Sequence, residues 1–310
     1  MNKRISHKLC LIFISLIFST LTYGSDKLRV VATFSVLGDL VTQIGANQIE
    51  LSTLVGPNGD AHVFQPSPFD TEKVAKADII VINGLEFEGW IERILESSGF
   101  NGKLVVASSG IKAISLKGNH QEQEEHEKHE EHEEHGEYDP HAWHSVPNAQ
   151  VYVENIRAAL VQEDPDRTNF FNEQANNYLK KLEALEQDIR ITLKNIPKGK
   201  RKVITSHDAF GYLAHEYDLQ FYAPQGVSTE SEASAAEVAS IIKQIRKDNI
   251  KAVFMENVSD SRLIRQIARE TGAEIGRQLY SDALSASDEP AATYINMMRH
   301  NINTLTDALK

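Results

Sequence analysis

Cysteine is almost absent: among 310 residues there is only Cys10. It falls in an N-terminal stretch where Lys3, Arg4 and Lys8 flank or precede an apolar run over 9–18, and Thr22, Tyr23 and Gly24 offer a small-residue cleavage site. That layout is the one of a secretory signal peptide over 1–24. Once it is removed no thiol remains, which excludes disulfides, cysteine ligation of a metal and a cysteine nucleophile. Cys10 also lies too early to be a lipid-bearing residue at the cleavage point, so a soluble protein exported to the periplasm is expected. Long apolar runs are missing too. The run over 9–18 falls short of the roughly 20 residues that a spanning helix needs, and no later segment approaches it. Basic clusters are missing as well, with 32 Lys and Arg against 44 Asp and Glu, and this argues against a nucleic-acid partner.

What is present is a chain long enough for two domains, with 41% hydrophobic residues to fill their cores. The pattern from residue 28 onward is strand then helix, with β-branched runs of the kind that parallel sheets bury on both faces. Strands are expected over 28–34, 49–55, 78–83 and 103–107. The intervening helices are expected over 36–44, with Ser35 as cap, from Ser67-Pro68 towards Lys76, and over 89–96. A further helix over 147–161 precedes a stretch without Gly or Pro from Asp164-Pro165 to Pro197. Its apolar residues, Phe171, Ala175, Tyr178, Leu182, Leu185, Ile189, Leu193 and Ile196, are spaced by three and four and describe one face. About 31 helical residues span roughly 46 Å, longer than one lobe needs, so this element reads as a bridge along two lobes. Strands then resume over 202–205, 219–223, 251–255 and 274–279, with helices over 209–216, 234–248, 260–271 and 290–307. Ser234 and Glu237 form a capping box for one of them. The fold class is therefore α/β, with an N-terminal lobe over 25–163, a linking helix over 164–197 and a C-terminal lobe over 198–310.

Negative charge is concentrated. Between Gln121 and Glu137 there are nine glutamates and one lysine, a share of about −8 in a formal charge of −12 that becomes about −15 without the signal peptide. His120, His126, His129, His132 and His135 sit in or beside this run, in a flexible loop over 119–138. A spacing of three walks around a helix rather than holding one face, so the tract offers weak accessory metal capture rather than one rigid site. Its composition is that of a solvated loop.

Ligands of open α/β sheets bind beyond the carboxyl ends of the strands. Four side chains stand there: His62, His141, His207 and Asp282, two from each half. Taken singly, each is an ordinary loop histidine or helix cap; together, three imidazoles and a carboxylate suit a divalent metal in a cleft between lobes. Glu256, just after a strand of the second half, is placed to hold a ligating imidazole by its other nitrogen.

The segments GDAHVFQPSP, DIIVINGLEFEGW, DPHAWHSVPNAQ, TSHDAFGYLAHEYDL, GVSTESEASA and LYSDALS resemble, in that order, the blocks of the periplasmic zinc-binding proteins of high-affinity zinc-uptake ABC transporters, in the metal-specific solute-binding family of cluster A-I. The resemblance spans essentially the whole chain after residue 24. It implies two four-stranded (β/α) lobes joined by a rigid helix, a metal in the cleft held by His62, His141, His207 and Asp282, and delivery to a membrane permease. The acidic histidine-rich insertion before DPH is similar to that of the zinc members. Manganese-handling relatives tend to carry glutamate at the place of His207, and three imidazoles favour zinc on softness and on the Irving–Williams order. The three-His-plus-Asp set also occurs in relatives that carry either metal, and the cysteine pair frequent among zinc members is absent. Zn2+ is the expected cargo, with Mn2+ as the alternative, and a monomer is expected. A zinc hydrolase is the rival from another class. It needs an open coordination position for water, which a fourth protein donor closes, and no HExxH helix is present. A surface adhesin is a third reading, without a feature that argues for it.

Overall fold

The continuous apolar runs become the inner strands of two parallel sheets. The computed structural model describes residues 26–116 and 136–310. Residues 1–24, expected to be a signal peptide, and the tract carrying His120, His126, His129, His132 and His135 lie outside the described residues. The first sheet has the order β2-β1-β3-β4, from β1 (Leu28–Phe34), β2 (Ile49–Val55), β3 (Ile79–Ile82) and β4 (Lys103–Val106). The second repeats the arrangement as β6-β5-β7-β8, from β5 (Lys202–Ile204), β6 (Gln220–Tyr222), β7 (Ala252–Val253) and β8 (Glu274–Ile275). All neighbours within each sheet are parallel. Central β3 is buried along its whole length, as a strand covered on both faces must be.

The last two strands are shorter than the sequence pattern predicts. The Gly276 N–H still donates to the Val253 carbonyl at 2.9 Å, and Gly276 packs against the Phe254 ring so closely that a Cβ there would stand 2.4 Å from it; regular pairing ends here. Pairing returns as a single bridge between Glu256 and Leu279.

The helices are α1 (Ser35–Gly45), α2 (Pro68–Lys76), α3 (Ile91–Ser98), α4 (Val146–Glu163), α5 (Thr168–Leu193), α6 (Gly211–Tyr217), α7 (Ala235–Asp248), α8 (Ser261–Thr271) and α9 (Tyr294–Leu309). Ser67 with Asp70 and Ser234 with Glu237 form capping boxes at α2 and α7. Ser35 does not cap α1 as expected; its hydroxyl accepts the Leu284 backbone N–H at 2.9 Å and joins the two lobes. The last helix begins at Tyr294 rather than Pro290, because the Thr293 hydroxyl, and not the proline, takes the first-turn N–H of Asn296.

The bridge is also shorter than expected. Asp164 caps a single 3-10 turn (Pro165–Arg167), and the α-helix that follows is 26 residues long, about 39 Å at 1.5 Å per residue. Its predicted stripe from Phe171 to Ile196 is buried throughout. α5 packs on α1 and α4 from one lobe and on α9 from the other. One continuous apolar core therefore includes Leu37 and Tyr152 of the first lobe together with Phe210, Met297 and Leu305 of the second. A smaller separate core lies between α7, α8, β5 and β7.

Candidate metal centre

Each of the four side chains singled out in the sequence leaves the carboxyl end of a strand region, and the structure brings all four together. One donor atom from each of His62, His141, His207 and Asp282 lies within 4.8 Å of every other. His62 follows β2 in a loop pinned by the Trp90 indole N–H, which donates to the Ala61 carbonyl at 2.8 Å. His141 follows β4 beyond the histidine-rich insertion. The ends of that insertion are tied by a bridge between Ser115 and Tyr138 and by the Asp139 N–H donating to the Ile114 carbonyl at 2.9 Å. His207 follows β5, and Asp282 follows β8.

Several of the donor separations match those within a coordination shell. His62 Nε2 is 3.4 Å from His141 Nε2 and 3.4 Å from Asp282 Oδ2. His207 Nε2 is 3.1 Å from Asp282 Oδ2, and His141 Nε2 is 3.5 Å from Asp282 Oδ1. A tetrahedron with bonds of 2.0–2.1 Å has edges of about 3.3 Å. Asp282 Oδ1 is buried and has no hydrogen-bond partner among the described residues, a costly state that a cation would relieve.

Two imidazoles are clamped from behind. Asp139 Oδ1 accepts both the backbone N–H and the Nδ1–H of His141, at 2.9 and 2.8 Å. Glu256 Oε2 lies 2.7 Å from His207 Nδ1, while its Oε1 accepts the N–H groups of Ser206 and His207 at 2.7 and 3.0 Å. A carboxylate behind the ring favours protonation at Nδ1, the tautomer that would leave the Nε2 lone pair for a metal. Glu256 is buried directly behind His207 rather than on the surface. Asp139 was missed, although its position two residues before a histidine was visible. Gly211 matters to the same clamp: a Cβ there would lie 2.2 Å from Asp139 Oδ2.

Electrostatics separate the imidazoles. Burial depresses His62 below its usual range, and the nearby Asp282 carboxylate offsets this only in part. Burial also opposes the charged form of His207, but the carboxylates of Glu256 and Asp282 outweigh it and raise His207 well above 6.5. Asp282 is itself held well below the carboxylate range, burial being outweighed by His207 and His141. His144, a further histidine that no local sequence signal marks, is fully buried, and burial pushes it down to about 3. Its ring packs on Trp143 and Phe210, so it belongs to the wall of the site.

That wall is mostly aromatic. Trp143 packs on Phe34 and Phe87, and its indole N–H donates across the lobes to the Ser281 carbonyl at 3.0 Å, one residue before Asp282. On the other side a cavity of about 480 Å³ opens to solvent, lined by His62, Glu86, Tyr138 and Glu230 among others. Glu86 is at this mouth and is not among the converging donors. The turn that presents it has three successive positive φ angles, 83°, 56° and 62° at Gly84, Leu85 and Glu86. The buried Glu88 carboxylate holds that turn by accepting the Thr33 hydroxyl at 2.6 Å and the Asn83 and Gly84 N–H groups at 2.7 and 3.2 Å; burial raises it to about 7.

Two parallel α/β lobes on a bridging helix, with a buried His3Asp set between them, define a bilobal metal-binding protein of the substrate-binding type. The chain belongs to the family of the periplasmic zinc-uptake complex component A (ZnuA), whose model matches residues 30–308. It is 33% identical over 281 residues to the iron-binding protein YfeA of Yersinia pestis, covering 91% of this chain and 86% of that protein. It is 32% identical over 292 residues to the manganese-binding lipoprotein MntA of Bacillus subtilis, covering 93% and 91%. The periplasmic zinc-binding protein TroA of Treponema pallidum has the same fold, with a TM-score of 0.83 at 28% identity over 92% of this chain and 99% of that one. The protein is thus a substrate-binding component of a metal ABC transporter, a class whose members bind and hand over cargo. Among the described residues no helix is long and apolar enough to cross a membrane.

Proposed function

We propose that this protein captures zinc outside the cytoplasmic membrane and delivers it to the permease of a high-affinity zinc-uptake ABC transporter. The observation that carries the reading is the donor set, three imidazoles and the carboxylate of Asp282, whose Oδ1 has no hydrogen-bond partner among the described residues, with donor atoms gathered within 4.8 Å of one another. Three imidazoles suit zinc better than manganese, and a fourth protein donor leaves no vacant position for a hydrolytic water. His62, His141, His207 and Asp282 are the ligands in this reading, and Glu256 and Asp139 orient two of them. Manganese is the second reading, supported by the names of relatives such as MntA and by the reach of both Asp282 oxygens into the site. In the zinc reading, residues 1–24 direct export to the periplasm, the chain acts as a monomer without enzymatic activity, and the tract from His120 to His135 gathers metal weakly.

Competitive titration with zinc and manganese tests this. The expected result is one tight zinc per chain, manganese at least about 100-fold weaker, and survival of the tight site when residues 121–135 are deleted. The combined His62→Ala, His141→Ala, His207→Ala variant should lose it. Manganese binding as tight as zinc overturns the choice of metal; loss of tight binding on loop deletion overturns the choice of site.

A further inference from the structure

Two of the candidate ligands are introduced by the same local pattern, an aspartate two positions before the histidine: Asp60-Ala61-His62 and Asp139-Pro140-His141. In both, an aspartate oxygen accepts the histidine's backbone N–H, at 3.0 and 2.9 Å. There the two diverge. Asp139 uses the same oxygen to hold the ring of its own histidine. Asp60 instead sends its second oxygen to the opposite lobe, where Oδ2 accepts the Thr229 hydroxyl at 2.6 Å. Asn58, at the start of the same loop, is fixed to the second lobe by its N–H donating to the Leu284 carbonyl at 2.8 Å and by Asn257 Nδ2 donating to its Oδ1 at 3.1 Å; next to His62 itself, the tie across the lobes is this charge-assisted hydrogen bond.

The segment that supplies Thr229 is anchored at its start, where the Gln225 N–H donates to the Ser206 carbonyl at 3.3 Å and the Asp208 N–H to the Gly226 carbonyl at 3.2 Å, and beyond that it runs between two cavities. On one side lies the mouth cavity, which Val227, Ser228, Glu230 and Ser231 share with His62. On the other lies a second cavity of about 450 Å³, lined by Asp60, Gln225, Thr229 and Glu232 among others. The segment is folded on itself, because the Gln225 side-chain amide donates to the carbonyls of Thr229 and Ser231 at 3.2 and 2.6 Å. A self-braced loop with open space on both faces moves as a unit when its tether is cut. His62 is also the most accessible of the four side chains, 5% exposed against 0% for the other three. Metal that leaves by the mouth passes His62 first.

We propose that the Asp60–Thr229 hydrogen bond is a latch on metal release: formed, it holds His62 in the coordination shell and the 227–232 segment across the mouth; broken, it lets the His62 end of its loop and that segment shift about their remaining anchors. Asp60 is a positioning residue in this account, acting through His62. The inference rests on the reading that the cargo sits on His62, His141, His207 and Asp282.

Stopped-flow transfer of zinc from the loaded full chain to excess chelator tests it. Thr229→Val, which keeps the shape and removes the donor, should release zinc roughly tenfold faster, with an association rate within about twofold of the wild type. Thr229→Ser, which restores a hydroxyl, should release at the wild-type rate. In the metal-free proteins, hydrogen exchange at the His62 amide should quicken in Thr229→Val while the melting midpoint stays unchanged, which separates a latch from general loosening of the lobe. Wild-type release from Thr229→Val, in a protein that holds zinc tightly, overturns the latch and leaves the site intact. A wild-type chain that holds neither zinc nor manganese overturns both.

Discussion

At the scale of single residues, His207 is the most informative group. It lies between two carboxylates, Glu256 2.7 Å from Nδ1 and Asp282 3.1 Å from Nε2, and they raise its pKa well above 6.5 against the effect of burial. A metal must displace the Nε2 proton, so one proton leaves with each ion bound. Zinc affinity is therefore expected to rise about tenfold per pH unit from pH 5.5 through neutrality, as read by competition titration; a flat profile would exclude His207 as a ligand. The metal-free protein follows the opposite sign. A raised histidine contributes stability that is full below 6.5 and is lost as pH climbs through its folded value, whereas the depressed Asp282 contributes stability that is lost only as pH falls below 3.8. Glu256→Gln removes one of the two raising charges and the clamp on Nδ1. It should lower metal affinity by roughly 10–100-fold and move the remaining pH dependence towards acid. An unchanged affinity would reduce Glu256 to a support for the Ser206 and His207 amides. Of these residues, His207, Asp282 and Glu256 were legible in the sequence because each sits just beyond a strand. His144 was not, because a histidine buried for packing has no local signature.

At the scale of elements, the bridging helix shows why patterns of side chains are easier to read than element ends. The eight apolar positions from Phe171 to Ile196 were visible as a stripe, and every one is buried. The start was misplaced by one turn because Asp164 and Pro165 cap a 3-10 turn as readily as an α-helix. Ser35 failed as a cap for a different reason: its partner, the Leu284 N–H, lies 249 residues away, and no local rule can see it. Similarly, β7 and β8 were drawn too long because the close approach of Gly276 to Phe254 is a tertiary fact. The stripe itself makes a stability prediction. Leu182→Ala, at a fully buried position on α5, should cost about 2–5 kcal/mol and lower the melting midpoint by roughly 5–15 °C. Metal affinity measured below that midpoint should be unchanged, since no ligand is carried by α5; a parallel loss of affinity would mean that the helix sets the distance between the lobes.

At the scale of the whole molecule, the two sheets are alike in order but unequal in support. The first lobe shares its core with α5, α6 and α9, whereas α7, α8, β5 and β7 enclose a smaller core of their own. Several of its apolar residues are only just covered, Val238 at 9% and Ile241 at 8% exposed, and β7 and β8 are two residues each. This outer half of the second lobe should be the first part to open, and it adjoins the strand ends that deliver His207, Glu256 and Asp282. Binding to the folded state alone adds about 4 kcal/mol at a metal concentration 1,000 times Kd. Because the donors come from both lobes, that stabilisation acts on the weaker half as well as on the shared core. Hydrogen exchange is therefore expected to be fastest at the amides of α7 and α8 in the metal-free protein, slower in α1, α4 and α5, and to slow most in the second lobe when zinc is added. Uniform exchange across both lobes without metal, or protection by zinc confined to the first, would show that the second lobe is not the part the ion holds shut.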